Sequence, residues 1–395
     1  VAAHGVRDVT FRQRMDASSL EGVKLKLLNA CIRALPRGAY LIAADGDEFF
    51  SYPCDILQHF SRLKDRFGRP SYAACAFMQD RISHDLRLRR VQMQPPIDEQ
   101  FGRCAKIRAL RGGLVNGNLL KISLIAARPY GALPTFTSAH RADVTVRDPM
   151  FNDGRNHTVS MGGVPQGPGG NFCVFTGRFP HYSMTFETQI LARQKIKDGY
   201  EPDRYATVSN LVQNCGNNLE DCYMLNSRAR SHVNRANITC EGALPSCPAT
   251  TKLARSVRDG FAATRATLHP RQSHAATNRS FSTTDSVDEA GICSSGPLHS
   301  IAKRVHLWSM LAPLARPGML PHWLAHYRAQ GVRGRNMHLV LDVESKHELD
   351  DQLNETRATV SRFGIADVQV VHSVADSNGD YELVKLRTLN AMILT

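Results

Sequence analysis

The sequence has little tryptophan and no long apolar run. It contains two tryptophans among 395 residues, and no stretch approaches the roughly 18 apolar residues that suggest a membrane-spanning helix. No run of lysine and arginine is interleaved with aromatic residues, which argues against a nucleic-acid-binding protein. The formal net charge of +13 favours anionic partners such as nucleotides, polyphosphates or membrane surfaces. We expect any membrane anchor to lie outside these residues.

The ten cysteines lack the spacing of a zinc-binding motif. Two pairs have a separation that is too wide for a zinc knuckle and favours disulfides in an oxidising compartment, namely Cys215/Cys222 and Cys240/Cys247. Apolar neighbours predict that Cys31 and Cys75 are core residues. Four glycosylation sequons fit a secretory route, which we expect to end in the Golgi or another secretory membrane, and they begin at Asn156, Asn237, Asn278 and Asn354.

An internal repeat is the most informative feature of the organisation. The segment 23–32 matches 384–393 at seven of ten positions, and 5–9 upstream matches 364–368. Both copies have the pattern of a strand, a polar loop and an amphipathic helix. Their shared order predicts two incomplete copies of one module.

The segment between the copies has a different composition. Residues 249–298 are rich in Ser, Thr, Ala and Arg and lack sustained periodicity, which predicts a linker. We therefore divide the chain into a first partial module at 1–215, a cysteine-containing segment with a linker at 216–299, and a second partial module at 300–395.

The chemistry is concentrated after a short apolar run. Tyr40–Ala44 follows turn residues and has the pattern of a buried strand, and Asp45 and Asp47 come directly after it. Ligands of open α/β sheets bind at the carboxyl ends of strands. Adjacent carboxylates repel one another unless a cation neutralises them, and Mg²⁺ or Mn²⁺ takes carboxylate and phosphate oxygens together. A solvated acidic turn is the alternative interpretation.

Several motifs together resemble the GT-A glycosyltransferases similar to family 2 and family 92. The segment Ala44–Phe50 resembles their Asp-x-Asp-Glu-Phe signature, and the helix with Lys24 and Asn29 resembles the one that precedes it. Further resemblances, over roughly 1–200 and 300–395, lie at Leu320–Val332, Met337–Asp342, Asp80-Arg81, Glu99–Phe101 and His181-Tyr182. Gly46 and His181-Tyr-Ser-Met184 depart from the pattern. The implied fold class is α/β, a Rossmann-like mixed sheet with helices on both faces, here in fragmentary tandem modules.

The resemblance also implies roles at the site. Asp47 is the first choice for a direct metal ligand, and Asp45 would meet the ribose of the nucleotide or the metal through water. His181 would be a further metal ligand, a phosphate contact or a structural histidine. Lys24 would contact a phosphate or belong to a solvated helix face, and Asn29 is a further candidate for cofactor binding.

The reaction itself would need a general base. Inversion at a sugar carbon requires deprotonation of the acceptor hydroxyl, and Asp80 and Glu99 are the rival candidates, each with a salt bridge as the alternative role. The predicted function is transfer of a sugar from a nucleotide-sugar donor to a carbohydrate or glycoprotein acceptor, with Mn²⁺ or Mg²⁺. The alternative is a non-catalytic carbohydrate-binding or scaffold protein that keeps the fold.

The two partial copies are expected to complement each other. In a GT-A fold the first strand lies centrally beside the strand that carries the acidic motif, and the first copy lacks it. We predict that 337–342 supplies this strand and pairs in parallel with 40–44, which would otherwise expose an unpaired edge. The duplicated segments would then compete for one place, and one of them would sit outside.

Overall fold

The computed structural model describes part of the chain. The described residues are 6–12, 17–52, 72–104, 120–129, 132–138, 140–147, 156–162, 173–182, 185–186, 298, 301, 303–311, 318–343, 349–365 and 367–374. Both cysteine pairs at 215–247 and the duplicated helix at 384–393 lie outside them, as does the predicted linker except for the buried Leu298.

Strands and helices make up most of the described chain. The strands are β1 (Val6–Arg12), β2 (Tyr40–Ala43), β3 (Ala73–Ile82), β4 (Arg103–Cys104), β5 (Leu120–Ala126), β6 (Thr135–Ser138), β7 (Arg141–Arg147), β8 (Asn156–Gly162), β9 (Val174–His181), β10 (Val305–Leu311), β11 (Met337–Val343) and β12 (Asp367–Val374). The helices are α1 (Ala17–Ala34), α2 (Ile97–Gln100), α3 (Met319–Gln330) and α4 (Leu349–Arg362). The predicted strand at 40–44 and the helix predicted in the first copy of the repeat are thereby confirmed.

A mixed sheet of nine strands organises these elements. Its order is β1-β12-β11-β10-β2-β5-β3-β4, and β9 pairs with β3. The strands from β1 to β2 are mutually parallel, whereas β5 runs antiparallel to both β2 and β3. A second, antiparallel sheet contains β6, β7 and β8. The fold class is therefore α/β, as the sequence predicted at this coarser level.

The parallel neighbour of β2 comes from the C-terminal part of the chain, but it is not the predicted strand. Leu307 of β10 is the partner of Ile42, and Val305 is the partner of Tyr40. The segment 337–342 belongs to β11, one strand further out, where it pairs with β10. The predicted direct pairing of 337–342 with 40–44 is therefore wrong, because β10 is inserted between them.

The duplicated strands lie side by side at one edge of the sheet. β1 pairs in parallel with β12, and Val9 is the partner of Val371 rather than of Val368, its equivalent in the repeat. The two copies are thus offset by three residues. β12 takes the inner position against β11, and β1 lies outside it, as expected for a duplicated segment.

Hydrophobic clusters cover both faces of the central strand β2. Ile42 packs in the cluster that includes Trp323 of α3, whereas Leu41 and Ala43 pack in the cluster that includes Ile32 of α1. Successive side chains of a strand point to opposite faces, so a continuous apolar run fits a strand buried on both sides. β2 is therefore packed between α3 and α1, and this packing fixes the position of its end, where the acidic motif begins.

A disulfide joins the starts of two neighbouring strands. Cys75 of β3 and Cys173, which precedes β9, are bonded across a sequence separation of 98 residues. Cys31 and Cys75 are both buried, as predicted, although Cys75 is half of a disulfide rather than a simple core residue. In the described part of the chain, no helix is long and apolar enough to cross a membrane.

Candidate functional site

The acidic motif lies at a switch point of the sheet. If β10 is counted as the first strand, β11 and β12 are the second and third and β2 is the fourth, so the strand order is 3-2-1-4. The chain leaves β10 towards α3 on one face and reaches β2 from α1 on the other. Crevices at the carboxyl ends of such strands bind ligands. Asp45 follows the end of β2 and therefore stands at this position.

Helix α3 holds residues 45–50, which we call the acidic loop. The indole Nε1 of Trp323 donates to the backbone oxygen of Asp45 at 3.0 Å. The hydroxyl of Tyr327 donates to the backbone oxygen of Glu48 at 3.0 Å and accepts from the backbone nitrogen of Phe50 at 3.2 Å. These buried bonds satisfy loop backbone groups that would otherwise be costly. The loop is therefore preorganised by a helix from the C-terminal part of the chain.

Gly46, between the two aspartates, lies close to the end of β10. A Cβ atom added at Gly46 would come within 2.7 Å of Cδ2 of Leu311. Leu311 is the last residue of β10 and is buried. The close approach of the loop to β10 therefore favours glycine at the position between the two aspartates.

Two lysines face Asp45, and we call this group the lysine side of the loop. Lys24 Nζ lies 2.5 Å from Asp45 Oδ1, and Lys121 Nζ lies 3.3 Å from Asp45 Oδ2. Lys121 also pairs with Glu48 Oε2 at 2.6 Å, and both of these side chains are only 1% exposed. Glu48 Oε2 accepts the backbone N–H of Asp45 at 2.8 Å. Glu48 thus bonds to the backbone at the start of its own loop and neutralises the buried Lys121.

The charges on the lysine side shift the titration of its members. Burial alone would raise the pKa of Asp45, but the positive charges of Lys121 and Lys24 outweigh it and hold that pKa well below its usual range. Burial raises the pKa of Glu48, and Lys121 offsets part of that rise. Burial would lower the pKa of Lys121, but Asp45 and Glu48 raise it. Asp45 and Lys121 are therefore charged at neutral pH.

Asp47 lies on what we call the histidine side of the loop, with His181 and Asp80. His181 Nδ1 is 2.6 Å from Asp80 Oδ1, and its Nε2 is 3.4 Å from Asp47 Oδ2. Asp80 and His181 are register partners at the ends of β3 and β9. The backbone N–H of Tyr182 donates to the oxygen of Asp47 at 2.8 Å and ties the loop to the end of β9. The sheet therefore brings three predicted site residues together.

The carboxylates around His181 stabilise its charged form. Burial alone would lower the pKa of His181, but the charge of Asp47 and the hydrogen bonds of Asp47 and Asp80 raise it well above its usual value. In this arrangement a positive charge lies between two carboxylates. The same place is electrostatically suited to a metal cation.

The histidine side has a donor set that fits a hard divalent cation. The buried carboxylate of Asp80 contacts Nδ1 of His181, so Nε2 is directed at Asp47. Metal-ligating histidines usually have such a carboxylate at their second ring nitrogen. The 3.4 Å between Nε2 and Asp47 Oδ2 resembles the spacing of two ligands around one ion, roughly 3 Å when each bond is about 2.1 Å. The described residues contain no group of three or more metal-ligating side chains, but Mg²⁺ commonly takes one or two protein ligands with substrate oxygens and water.

Two other predicted site residues lie apart from this chemistry. The side-chain amide of Asn29 donates to the backbone oxygen of Phe136 at 3.0 Å and accepts from its nitrogen at 2.7 Å. The side chain of Asn29 therefore connects α1 to β6. This geometry does not support the predicted role of Asn29 in cofactor binding. Glu99 is exposed on the short helix α2. Among the described residues, its carboxylate makes no hydrogen bond or ion pair with the acidic loop.

Two residues near the acidic loop were not predicted from the sequence. Lys121 is in β5, 76 positions from Asp45, and its side chain is surrounded by apolar strand residues in the sequence. His140 lies just before β7, and burial lowers its pKa to about 3, with the charges of Lys121 and Lys24 acting in the same direction. A lysine inside the apolar run Leu120–Ala126 was the one available signal, because unpaired buried lysines are rare.

Comparisons with protein families, with curated proteins and with solved structures find no match to this chain.

Proposed function

We propose that the chain is a metal-dependent glycosyltransferase of the GT-A type, which transfers a sugar from a nucleotide-sugar donor to a carbohydrate or glycoprotein hydroxyl. One observation carries the proposal. Two aspartates follow a strand at a switch point of an α/β sheet, and one of them faces a histidine oriented by a buried carboxylate. This is where such sheets bind nucleotides, and the donor set suits a cation that accompanies phosphates.

The side chains divide the work of donor binding. Asp47 and His181 would hold Mn²⁺ or Mg²⁺, which neutralises a diphosphate and stabilises it as the leaving group. Asp80, 1% exposed behind His181, keeps the imidazole in one orientation. Asp45 is paired with two lysines, so it fits a contact to a donor hydroxyl better than a direct bond to the metal. Lys24 is 16% exposed and adds positive charge at the crevice.

The general base stays a prediction. Of the two candidates, Asp80 touches the site but is buried and bonded to His181. Glu99 is exposed but belongs to a helix outside the acidic loop. The acceptor oxygen must attack the sugar carbon while its proton leaves to a base within hydrogen-bond reach. The geometry therefore favours an orienting role for Asp80.

The disulfide between Cys75 and Cys173 supports a secretory location in the Golgi or a similar membrane system. Disulfides persist in oxidising compartments and are rare in the cytosol. The sequon residue Asn354 is exposed on α4, where modification is sterically open. A membrane anchor outside these residues belongs to the same proposal.

A non-catalytic carbohydrate-binding or scaffold protein is the second candidate. The saturation of Asp45 by Lys24 and Lys121 favours it, because a carboxylate paired in this way has less capacity for a ligand. This candidate predicts binding of carbohydrate without metal-dependent consumption of a nucleotide sugar.

The test is metal-dependent nucleotide binding by the full chain and its Asp47→Asn variant. UDP and GDP are titrated calorimetrically with Mn²⁺ and with EDTA, and hydrolysis or transfer is measured with UDP- and GDP-sugars. We expect Mn²⁺-dependent binding by the wild-type protein and its loss in Asp47→Asn, because the amide removes the charged ligand. Thermal unfolding establishes that the variant folds.

Asp85→Asn is the matched control, since Asp85 is exposed and pairs with Arg89 away from the loop. It should bind nucleotide like the wild-type protein. Unchanged Mn²⁺-dependent binding by Asp47→Asn would contradict the metal assignment. Carbohydrate binding without any nucleotide binding would favour the second candidate.

A further inference from the structure

Asn354 lies on the exposed side of α4. Ala358 and Ser361, which follow it at helical spacing, are exposed with it, and side chains three or four positions apart share one face of a helix. The opposite face is buried, since Val360 packs in a hydrophobic cluster and Thr356 is only 8% exposed. The side chain of Asn354 is therefore open to solvent in the folded protein.

The exposed side of α4 has the composition of a solvent face. Among the α4 side chains that the structure describes, those exposed besides Asn354 are Ala358, Ser361 and Arg362. The cores of protein interfaces concentrate aromatic residues and methionine, and this group contains neither. The described part of this face thus leaves room for a bulky, solvated group such as a glycan.

Asn354 is also the first residue of an acceptor sequence for N-glycosylation. The triplet Asn354-Glu355-Thr356 has the required asparagine and threonine, and its middle residue is not proline. Of the four sequons, this one is described with an exposed asparagine side chain. Asn156 begins β8, and its side chain lies outside the described part of the structure, as do Asn237 and Asn278. The sequence pattern and the exposure therefore coincide at Asn354.

The disulfide between Cys75 and Cys173 gives independent support for the compartment that such a modification needs. Disulfides form and persist in the oxidising lumen of the secretory route and are rare in the cytosol. Oligosaccharide transfer to sequons takes place in the same lumen, on a chain that is still extended. Burial of Thr356 in the folded helix therefore does not hide its hydroxyl from the modifying enzyme.

We propose that Asn354 carries an N-linked glycan, added by the glycosylation machinery of the cell from an oligosaccharide on a lipid diphosphate. A bond forms between the amide nitrogen of Asn354 and the anomeric carbon, and the bond from that carbon to the diphosphate oxygen breaks. The lipid diphosphate leaves with the electron pair, and the amide proton passes to a base of the transferase. The glycan keeps this face of α4 in solvent. This inference goes beyond the proposed function and does not rest on it.

The experiment compares the wild-type protein with Thr356→Ala and Thr356→Ser, each produced from the complete gene in cultured eukaryotic cells. Treatment with peptide-N-glycosidase in heavy-oxygen water converts a glycosylated asparagine to labelled aspartate. Mass spectrometry then reads the tryptic peptide 347–357, whose one asparagine is Asn354. We expect the label in the wild-type protein and in Thr356→Ser, which keeps the hydroxyl, and its complete loss in Thr356→Ala. Thr356→Ser is the matched control, because both variants change the same buried position.

An unlabelled peptide from the wild-type protein would overturn the inference. A label that persists in Thr356→Ala would overturn it as well, since the modification would then not depend on the sequon. The state of Cys75 and Cys173, read in the same digest, separates the causes of a failure. Bonded cysteines with an unlabelled peptide reject this site alone, whereas reduced cysteines reject the secretory location too. Nucleotide binding is measured separately, so a failure here is distinguishable from a failure of the proposed function.

Discussion

The carboxylates on the lysine side and the histidine side of the acidic loop are neutralised in different ways. On the lysine side, Asp45 is neutralised by permanent charges of the protein. On the histidine side, Asp47 faces a titratable imidazole whose charge depends on pH. A permanent ion pair fixes the shape of a loop, whereas a titratable partner can give way to a metal cation. Asp45 and Asp47, two positions apart, therefore lie in different electrostatic environments.

The strongest test of this comparison removes the buried charge from the lysine side. Lys121→Met should lower the free energy of unfolding by about 3–5 kcal/mol, because it leaves Glu48 buried and uncompensated. Lys24→Met should cost about 1 kcal/mol, since the Lys24–Asp45 pair is partly exposed and screened. Urea denaturation of both variants measures the difference. Equal costs would show that burial of Lys121 is not what fixes the loop.

The histidine side can be loosened at the far end of its two strands. The Cys75→Ala/Cys173→Ala double variant removes the bond that clips β3 to β9, whose other ends carry Asp80 and His181. Because the disulfide closes a loop of 98 residues, its loss should cost about 2–4 kcal/mol. Denaturation of the wild-type protein and the double variant, both kept oxidised, provides the measurement. A cost near zero would mean that strand pairing alone holds the histidine side.

The two sides should also respond oppositely to pH. The pKa of His181 is raised in the folded protein, so its stabilisation is fully present below the unfolded value of about 6.5 and is lost as pH rises through the folded pKa. The difference in unfolding free energy between the wild-type protein and His181→Asn, measured in EDTA, should therefore shrink at alkaline pH. A difference that grows with pH would contradict this sign.

Asp45 supplies the contrast within the same experiment. Its pKa is lowered by the two lysines, so its stabilisation is present above about pH 3.8 and is lost as pH falls through the folded pKa. The difference between the wild-type protein and Asp45→Asn should therefore shrink in acid and stay constant across the alkaline range.

Local patterns predicted the parts of the site that are close in sequence. The apolar run at Tyr40–Ala44 and the acidic residues after it indicated a buried strand with a loop at its carboxyl end, and the structure has both. The resemblance also selected His181 and Asp80, which lie together beside Asp47. Its implied GT-A fold and function stay predictions, since the structure establishes an α/β sheet.

Pairings between distant segments could not be read from the same patterns. Met337–Val343 and Val305–Leu311 are both strands of seven residues, and nothing in their periodicity shows which one lies beside β2. Lys121 was missed because strand alternation does not reveal that a buried lysine meets carboxylates from another strand. Asn29 was assigned to cofactor binding, but its partner is a backbone peptide 107 residues away.

The fastening of the acidic loop by α3 has a consequence for biosynthesis. Asp45 and Trp323 are 278 residues apart in the chain, and translation proceeds at about 5–20 residues per second. The loop therefore waits roughly 15–55 seconds on the ribosome before its anchoring helix exists. During that interval β2 also lacks β10, so an apolar strand edge is open to wrong partners. The edge of β2 that β10 covers in the folded protein therefore stays unpaired until residues 305–311 have been made.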